Sequence, residues 1–169
     1  MSEKIYTMQK QLDVGKIGEN EILRFLGEQK QVEFVEDLRD DPVARDYDVD
    51  FAVHVLNGKH LFVEVKTDTY SKSGNIFYEE ISSTNTNTLG CFEKTAATYI
   101  LYVFPDDRLF YVLKMRPFRE WYHKEKQRFA EKLVQNPTYK AKGRLISRKV
   151  LESIECQAFV SLRKLSKSA

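Results

Sequence analysis

The sequence predicts an α/β (α+β) fold in which a β-sheet is flanked by helices. Three observations predict it: an amphipathic helical stretch near the N-terminus, two apolar hairpins, and helical patterning that returns between and after them. At 169 residues the chain fits one domain with a sizeable core. Its 42% apolar and 31% charged content is globular, and no stretch approaches the roughly 18 apolar residues of a membrane span. The opening Met1-Ser-Glu-Lys4 lacks the apolar core of a signal peptide. Cys91 and Cys156 stand far apart, outside any metal-ligand spacing, and read as reduced thiols of a cytoplasmic protein.

Residues 12–30 place Ile17, Ile22, Phe25 and Leu26 at helical spacing, with Asp13 as candidate N-cap and Gly27 near the end. Residues 31–36 alternate as a strand would, and Asp37 to Asp46 reads as a charged loop broken by Pro42. Phe51 to Leu56 and His60 to Lys66 flank Asn57-Gly58, a strong hairpin signal. After the polar segment Thr67 to Gly74 comes a strand at Asn75 to Ile81, a polar loop at Ser82 to Gly90, and a short helix around Phe92 to Ala97. Tyr99 to Phe104 and Leu109 to Leu113 form a second hairpin across Pro105-Asp-Asp-Arg108. From Pro117 the pattern is helical to about Gln135, where Pro137 ends it, and a short helix is expected at Ser147 to Ile154.

Charge is split along the chain. Residues 1–113 hold 12 Lys and Arg against 20 Asp and Glu, net −8, whereas residues 114–169 hold 15 against 5, net +10. Such a split suits an acidic pocket that holds cations and a basic surface that meets a polyanion, although solvated helix faces produce part of it.

The chemistry concentrates at Leu61-Phe-Val-Glu-Val-Lys66. Residues two apart on a strand share a face, so Glu64 and Lys66 project together at the end of an apolar run. The hairpin carries a second acid, Asp50 or Asp48, to the same end of the sheet. Two carboxylates with a lysine beside them suit a divalent cation. Blander alternatives stand beside this: an exposed charge pair for Glu64 and Lys66, a turn or cap for Asp50, a helix-surface acid for Glu19. His54, His60 and His123 are scattered without ligand spacing and read as structural or surface residues.

With Glu19 in the first helix, Asp50 or Asp48, then Glu64 and Lys66, the chain resembles the PD-(D/E)xK nuclease superfamily from about Gly15 to Phe104. The Glu64 to Asp68 segment, the Gly74-Asn-Ile-Phe77 strand and the Lys94-bearing helix make it look most like small phage or bacterial members. Val49 stands where the family name has Pro.

The resemblance implies a restriction-endonuclease-like core with a central mixed β-sheet over residues 1–113. A basic, mainly helical extension over residues 114–169 is expected to pack on the same domain. It implies a DNA phosphodiesterase using Mg²⁺, with Mn²⁺ as substitute, held by Asp50, Glu64 and the Val65 carbonyl, or by Asp48 in place of Asp50. Asp50, Glu64, Lys66 and Glu19 are the implied catalytic set. Lys66 positions or deprotonates water, Glu19 holds a second metal or a metal-bound water, and Glu79 is an accessory candidate.

Lys94 is a candidate phosphate contact, and so are Lys140, Lys142, Arg144, Arg148 and Lys149 of the basic third. Trp121 and Tyr122 are either base-stacking or core residues. The expected partner is DNA, with no membrane and a homodimer to cut two strands, in a bacterial or phage-infected cytoplasm. A catalytically silent DNA-binding or partner-binding subunit is the alternative.

Overall fold

The structure is a computed structural model that describes residues 8–154 and 159–165, with side chains from residue 13; Met1 to Lys4 and Cys156 lie outside it. Helix α1 (Met8–Gly27) is followed by β1 (Val32–Asp37), α2 (Pro42–Asp46), β2 (Phe51–Val55) and β3 (His60–Thr67). Then come β4 (Asn75–Ser83), β5 (Thr88–Leu89), α3 (Cys91–Lys94), β6 (Tyr99–Phe104) and β7 (Leu109–Lys114). Helix α4 (Met115–Glu125), β8 (Glu131–Gln135), β9 (Lys140–Ser147), α5 (Arg148–Ser153) and β10 (Val160–Lys164) complete the chain. The fold is mixed α/β. Its central sheet has the order β1-β2-β3-β6-β7-β10, with β3 and β6 parallel and every other pair antiparallel. Strands β5-β4-β9-β8 form a second, antiparallel sheet.

Two cores hold these layers together. Helix α1 lays Ile22, Phe25 and Leu26 on Phe51, Val53, Val63, Val65, Leu101 and Val103 of the central sheet. Those positions alternate along β2, β3 and β6, so one face of each strand is used. On the opposite face Ile100, Tyr102, Phe104, Tyr111 and Leu113 meet Ile76 and Tyr78 of β4, Ile146 of β9, and Phe118 and Tyr122 of α4. The Tyr78 and Tyr122 rings stack with centroids 3.5 Å apart, and Trp121 stacks on Phe118. Tyr122 is wholly buried. Tyr122 is therefore a core residue, and Trp121 is half-buried against that core.

Several expectations from sequence are corrected. Helix α1 begins by Met8, so Asp13 lies inside it and does not cap it. The charged segment before Asp46 contains α2, because Pro42 at its first turn needs no N–H partner and the Asp41 side chain accepts from the Ala44 amide at 2.8 Å. The loop at residues 82–90 contains β5, which pairs with β4. Helix α3 is a single turn ending at Lys94. Most of all, the helix expected through Gln135 stops at Glu125, and the basic third is not mainly helical: β8, β9 and β10 are strands. Lys132 to Gln135 has helix-forming residues, but Phe129 is buried against Trp121 and Tyr122 and turns the chain back. Pairing of β8 with β9 then satisfies the backbone, and tertiary contact overrides propensity.

Backbones approach closely where the site forms. A side chain at Gly18 would put its Cβ 2.0 Å from Thr67 Oγ1, so only glycine lets α1 lie against the end of β3. At Gly90 an added Cβ would stand 2.3 Å from the Glu79 carbonyl oxygen, a backbone atom that cannot rotate away. Gly90→Ala is expected to destabilise the protein by about 1–3 kcal/mol. Gly27→Ala, at an open helical position, should be neutral or stabilising by up to about 1 kcal/mol. Urea unfolding of both variants checks the contrast, and equal midpoints would contradict the close approach.

Candidate active site

Strand β3 outruns its neighbour. The β2–β3 ladder ends at Phe51 opposite Val63, where the Asp50 amide donates to the Val63 carbonyl at 2.9 Å. Beyond that point Val65 has no β2 residue to meet. The Asp50 carboxylate takes its place, with Oδ2 accepting from the Val65 N–H at 2.7 Å. Asp50 is thereby drawn near Glu64, close enough that its charge opposes ionisation of the Glu64 carboxyl. Lys66 Nζ lies 3.6 Å from Glu64 Oε1. The hairpin thus joins three residues that are up to 16 positions apart in sequence.

Glu64 is 6% exposed although it is charged in ordinary peptides. Helix α3 covers it, with Cys91 Sγ 3.5 Å from Glu64 Oε1. Burial pushes the Glu64 carboxyl up to about 8, and Asp50 and Asp48 push it the same way. Burial likewise raises Asp50 to about 6, with Glu19 adding to the shift and the Val65 N–H opposing it. The Lys66 ammonium is held in its charged form by the Cys91 sulfur, Glu64, Glu79 and Asp48, in that order. Burial keeps the Cys91 thiol protonated, with the Lys66 ammonium opposing that effect.

The remaining candidates take distinct places. Asp48 has a left-handed backbone, φ 47°, and its carboxylate accepts from Lys94 Nζ at 3.0 Å while its carbonyl accepts from Thr95 Oγ1 at 2.5 Å. Asp50 is thus the acid set into the ladder, and Asp48 is braced from α3. Lys94 closes α3, three residues short of the expected end at Ala97, and its ammonium is paired with Asp48. Glu19 lies near enough to Asp50 to raise it, and is held by Arg39 Nη1 at 3.2 Å. Glu79 accepts from the Cys91 amide at 3.2 Å and faces Lys66, whereas Glu80 turns away to the Tyr122 hydroxyl at 2.8 Å.

Asp68, the last residue of the Glu64-to-Asp68 segment, accepts from the buried Tyr102 hydroxyl at 2.7 Å, and that hydroxyl receives the Phe77 amide at 3.1 Å. It ties β3 to β4 and has no direct part in the acid cluster.

Arg39 and Cys91 were not singled out from sequence. Arg39 forks onto Asp37 at 2.8 and 2.5 Å while reaching Glu19, and its guanidinium lies 5.2 Å from the Phe51 ring centroid. No local spacing signals it. Cys91 could have been suspected only from its place just after Gly90.

Much of the basic third is paired within the chain. Arg144 lies 3.8 Å from Glu80 and 3.6 Å from Glu131, Lys142 lies 3.0 Å from Glu131, and Arg148 lies 2.6 Å from Asp107. Lys140 and Lys149 are exposed.

Among the described residues, no three His, Cys, Asp or Glu side chains converge on a metal position. The cluster's own donors are the Asp50 and Glu64 carboxylates with nearby peptide oxygens. These are hard ligands, and two buried carboxyls whose ionisation is opposed fit a divalent cation that offsets their charge. Among the described residues no helix is long and apolar enough to cross a membrane. No protein-family model, curated protein or solved structure matches this chain.

The raised carboxyls set a pH dependence. Folded Asp50 and Glu64 bind protons more tightly than their ordinary values of 3.8 and 4.5, so the folded state holds more protons than the unfolded one up to about pH 8. Stability therefore falls as pH rises through that window. Thermal melts of the metal-free protein are expected to show Tm declining from about pH 5 to about pH 8, and Glu64→Gln should flatten the decline. A parent Tm that rises across the interval would contradict the shifts.

Proposed function

We propose that this chain is a metal-dependent nuclease that hydrolyses DNA phosphodiester bonds, built on a restriction-endonuclease-like core. The observation that carries the proposal is the Asp50 carboxylate held by the Val65 amide beside buried Glu64 and Lys66. Asp50, Glu64 and the Val65 carbonyl are the residues that would hold Mg²⁺. When bound, the cation supplies Lewis acidity to a phosphate oxygen.

The chain's own groups account for the rest. The Val65 N–H fixes the rotamer of Asp50, and α3 keeps bulk water off Glu64. Lys66 remains protonated, which suits it to position an attacking water and offset charge on the phosphoryl group rather than to accept a proton. Arg39 holds Glu19 at the rim. Water attacks phosphorus as one P–O ester bond breaks, with the water's proton lost to solvent and the departing ester oxygen protonated from solvent. The exposed Lys140 and Lys149, within a third of net +10, are available to a phosphate backbone. The chain offers no described base-reading module, which favours structure-directed or non-specific cutting, and a homodimer would bring two such centres to a duplex.

Supercoiled, linear, branched and single-stranded DNA incubated with Mg²⁺, Mn²⁺ or EDTA tests this. Cleavage with Mg²⁺ or Mn²⁺, absent in EDTA, is expected, and Glu64→Ala and Lys66→Ala should each lower the rate by at least about 100-fold. No cleavage with any metal, or undiminished cleavage by Glu64→Ala, would refute the proposal. Salt-sensitive DNA binding without cleavage would instead identify a silent binding subunit.

A further inference from the structure

The face of the central sheet that carries Glu64 and Lys66 continues, away from them, into an exposed patch with a second cluster. Phe34, His54, His60 and Phe62 stand on neighbouring strands, with Phe34 opposite His54 and His54 opposite His60. His54 and His60 are six residues apart in sequence, a separation that signals nothing on one strand. Folding the hairpin makes them a cross-strand pair with Nδ1 atoms 2.8 Å apart.

A hydrogen bond between two Nδ1 atoms needs one proton and one lone pair. His54 Nε2 faces Glu36 Oε2 at 3.3 Å. A carboxylate can only accept, so Nε2 of neutral His54 carries the proton and its Nδ1 presents a lone pair toward His60. The plane of that ring is held by stacking on Phe34, centroids 4.0 Å apart and planes at 13°. The result is a carboxylate, a histidine in one tautomer, and a free imidazole nitrogen aimed at a second imidazole. A carboxylate on the distal N–H is what fixes and strengthens metal-ligating histidines.

We propose that His54 and His60 form a site for a borderline transition-metal cation such as Zn²⁺, with Glu36 holding His54 in the ligating tautomer. The proposal is independent of the function assigned to Asp50 and Glu64. Two imidazole nitrogens about 2.0–2.1 Å from one cation lie roughly 2.9 Å apart at a right angle and 3.4 Å apart at the tetrahedral angle. The observed 2.8 Å needs an opening of about 0.1–0.6 Å. His60 is exposed at the first position of β3 and can supply it by a small ring displacement. Metal binding then moves the remaining ring proton of His60 from Nδ1 to Nε2, leaving the number of ring protons unchanged. Solvent completes the coordination, because no third protein side chain among the described residues converges there. Imidazole donors select Zn²⁺, Ni²⁺ or Cu²⁺ over Mg²⁺, so this site and the carboxylate cluster take different cations.

Calorimetric titration of metal-stripped protein with Zn²⁺ in saturating Mg²⁺, which occupies hard oxygen sites, tests the proposal. One Zn²⁺ per chain is expected. His60→Ala and His54→Ala should each weaken it at least about tenfold, and Glu36→Gln by a smaller factor. His123→Ala, a histidine paired with Glu93 elsewhere, should leave binding unchanged. His60→Ala alters an exposed position, so it stays informative if His54→Ala fails to fold. In parallel, Co²⁺ should broaden the His54 and His60 ring signals in ¹H–¹⁵N spectra before that of His123. Absence of Zn²⁺ binding to about 1 mM, parent-like binding by His60→Ala, loss of binding in Asp50→Asn, or equal broadening at His123 would each overturn the site.

Discussion

Everything at the candidate site depends on one hydrogen bond, from the Val65 N–H to the Asp50 carboxylate. It forms because β3 extends beyond the end of β2, leaving a strand amide that must find an acceptor. A side chain one residue before the strand supplies it. The same contact completes the sheet, fixes the orientation of Asp50, and brings a second carboxyl against Glu64. Sheet pairing and acid clustering are therefore the same event, and neither can be altered without the other.

That placement opposes ionisation, and the surroundings are arranged to bear it. Glu64 sits where the two cores adjoin: β3 packs on α1 with its Val63 and Val65 face, while α3, fastened to β4, closes over the other face. The acids there are partly answered by local cations. Lys66 faces Glu64, Lys94 faces Asp48, and Arg39 faces Glu19. Glu64, Asp48 and Glu19 each have a cation at their side, yet Asp50 and Glu64 remain raised, because desolvation exceeds what the neighbouring cations return. A site with that residual imbalance is suited to a further positive charge, which is the physical basis for the proposed metal.

The basic third looks different once folded. As sequence it is an excess of Lys and Arg; as structure Lys126 and Arg144 answer Glu80 and Arg148 answers Asp107, acids contributed by the first 113 residues, while Arg116, Arg128 and Lys142 pair with acids of the basic third itself. The opposite charges of the two regions are thus partly a means of joining β4, β7, β9 and α5. Part of the net charge survives on exposed lysines such as Lys140 and Lys149. The second sheet explains why helical patterning after Pro117 misleads: Phe129 and the backbone of β9 draw the chain into a strand that its own residues do not favour.

The hairpins, the first helix and the face shared by Glu64 and Lys66 were legible in the sequence, because turn chemistry and the two-residue period of a strand act between near neighbours. The same hairpin placed Asp48 and Asp50 at the end of the sheet that carries Glu64, while leaving the register open. What local rules leave open is any contact between residues whose separation carries no period. Cys91 over Glu64, Arg39 on Glu19, the choice of Asp50 over Asp48 for the ladder, and the conversion of His54 and His60 from scattered residues to a pair all arise that way. Sequence decided which side chains could share a face; only the packed structure decided what lies opposite them, since burial and cross-strand register are properties of the whole chain.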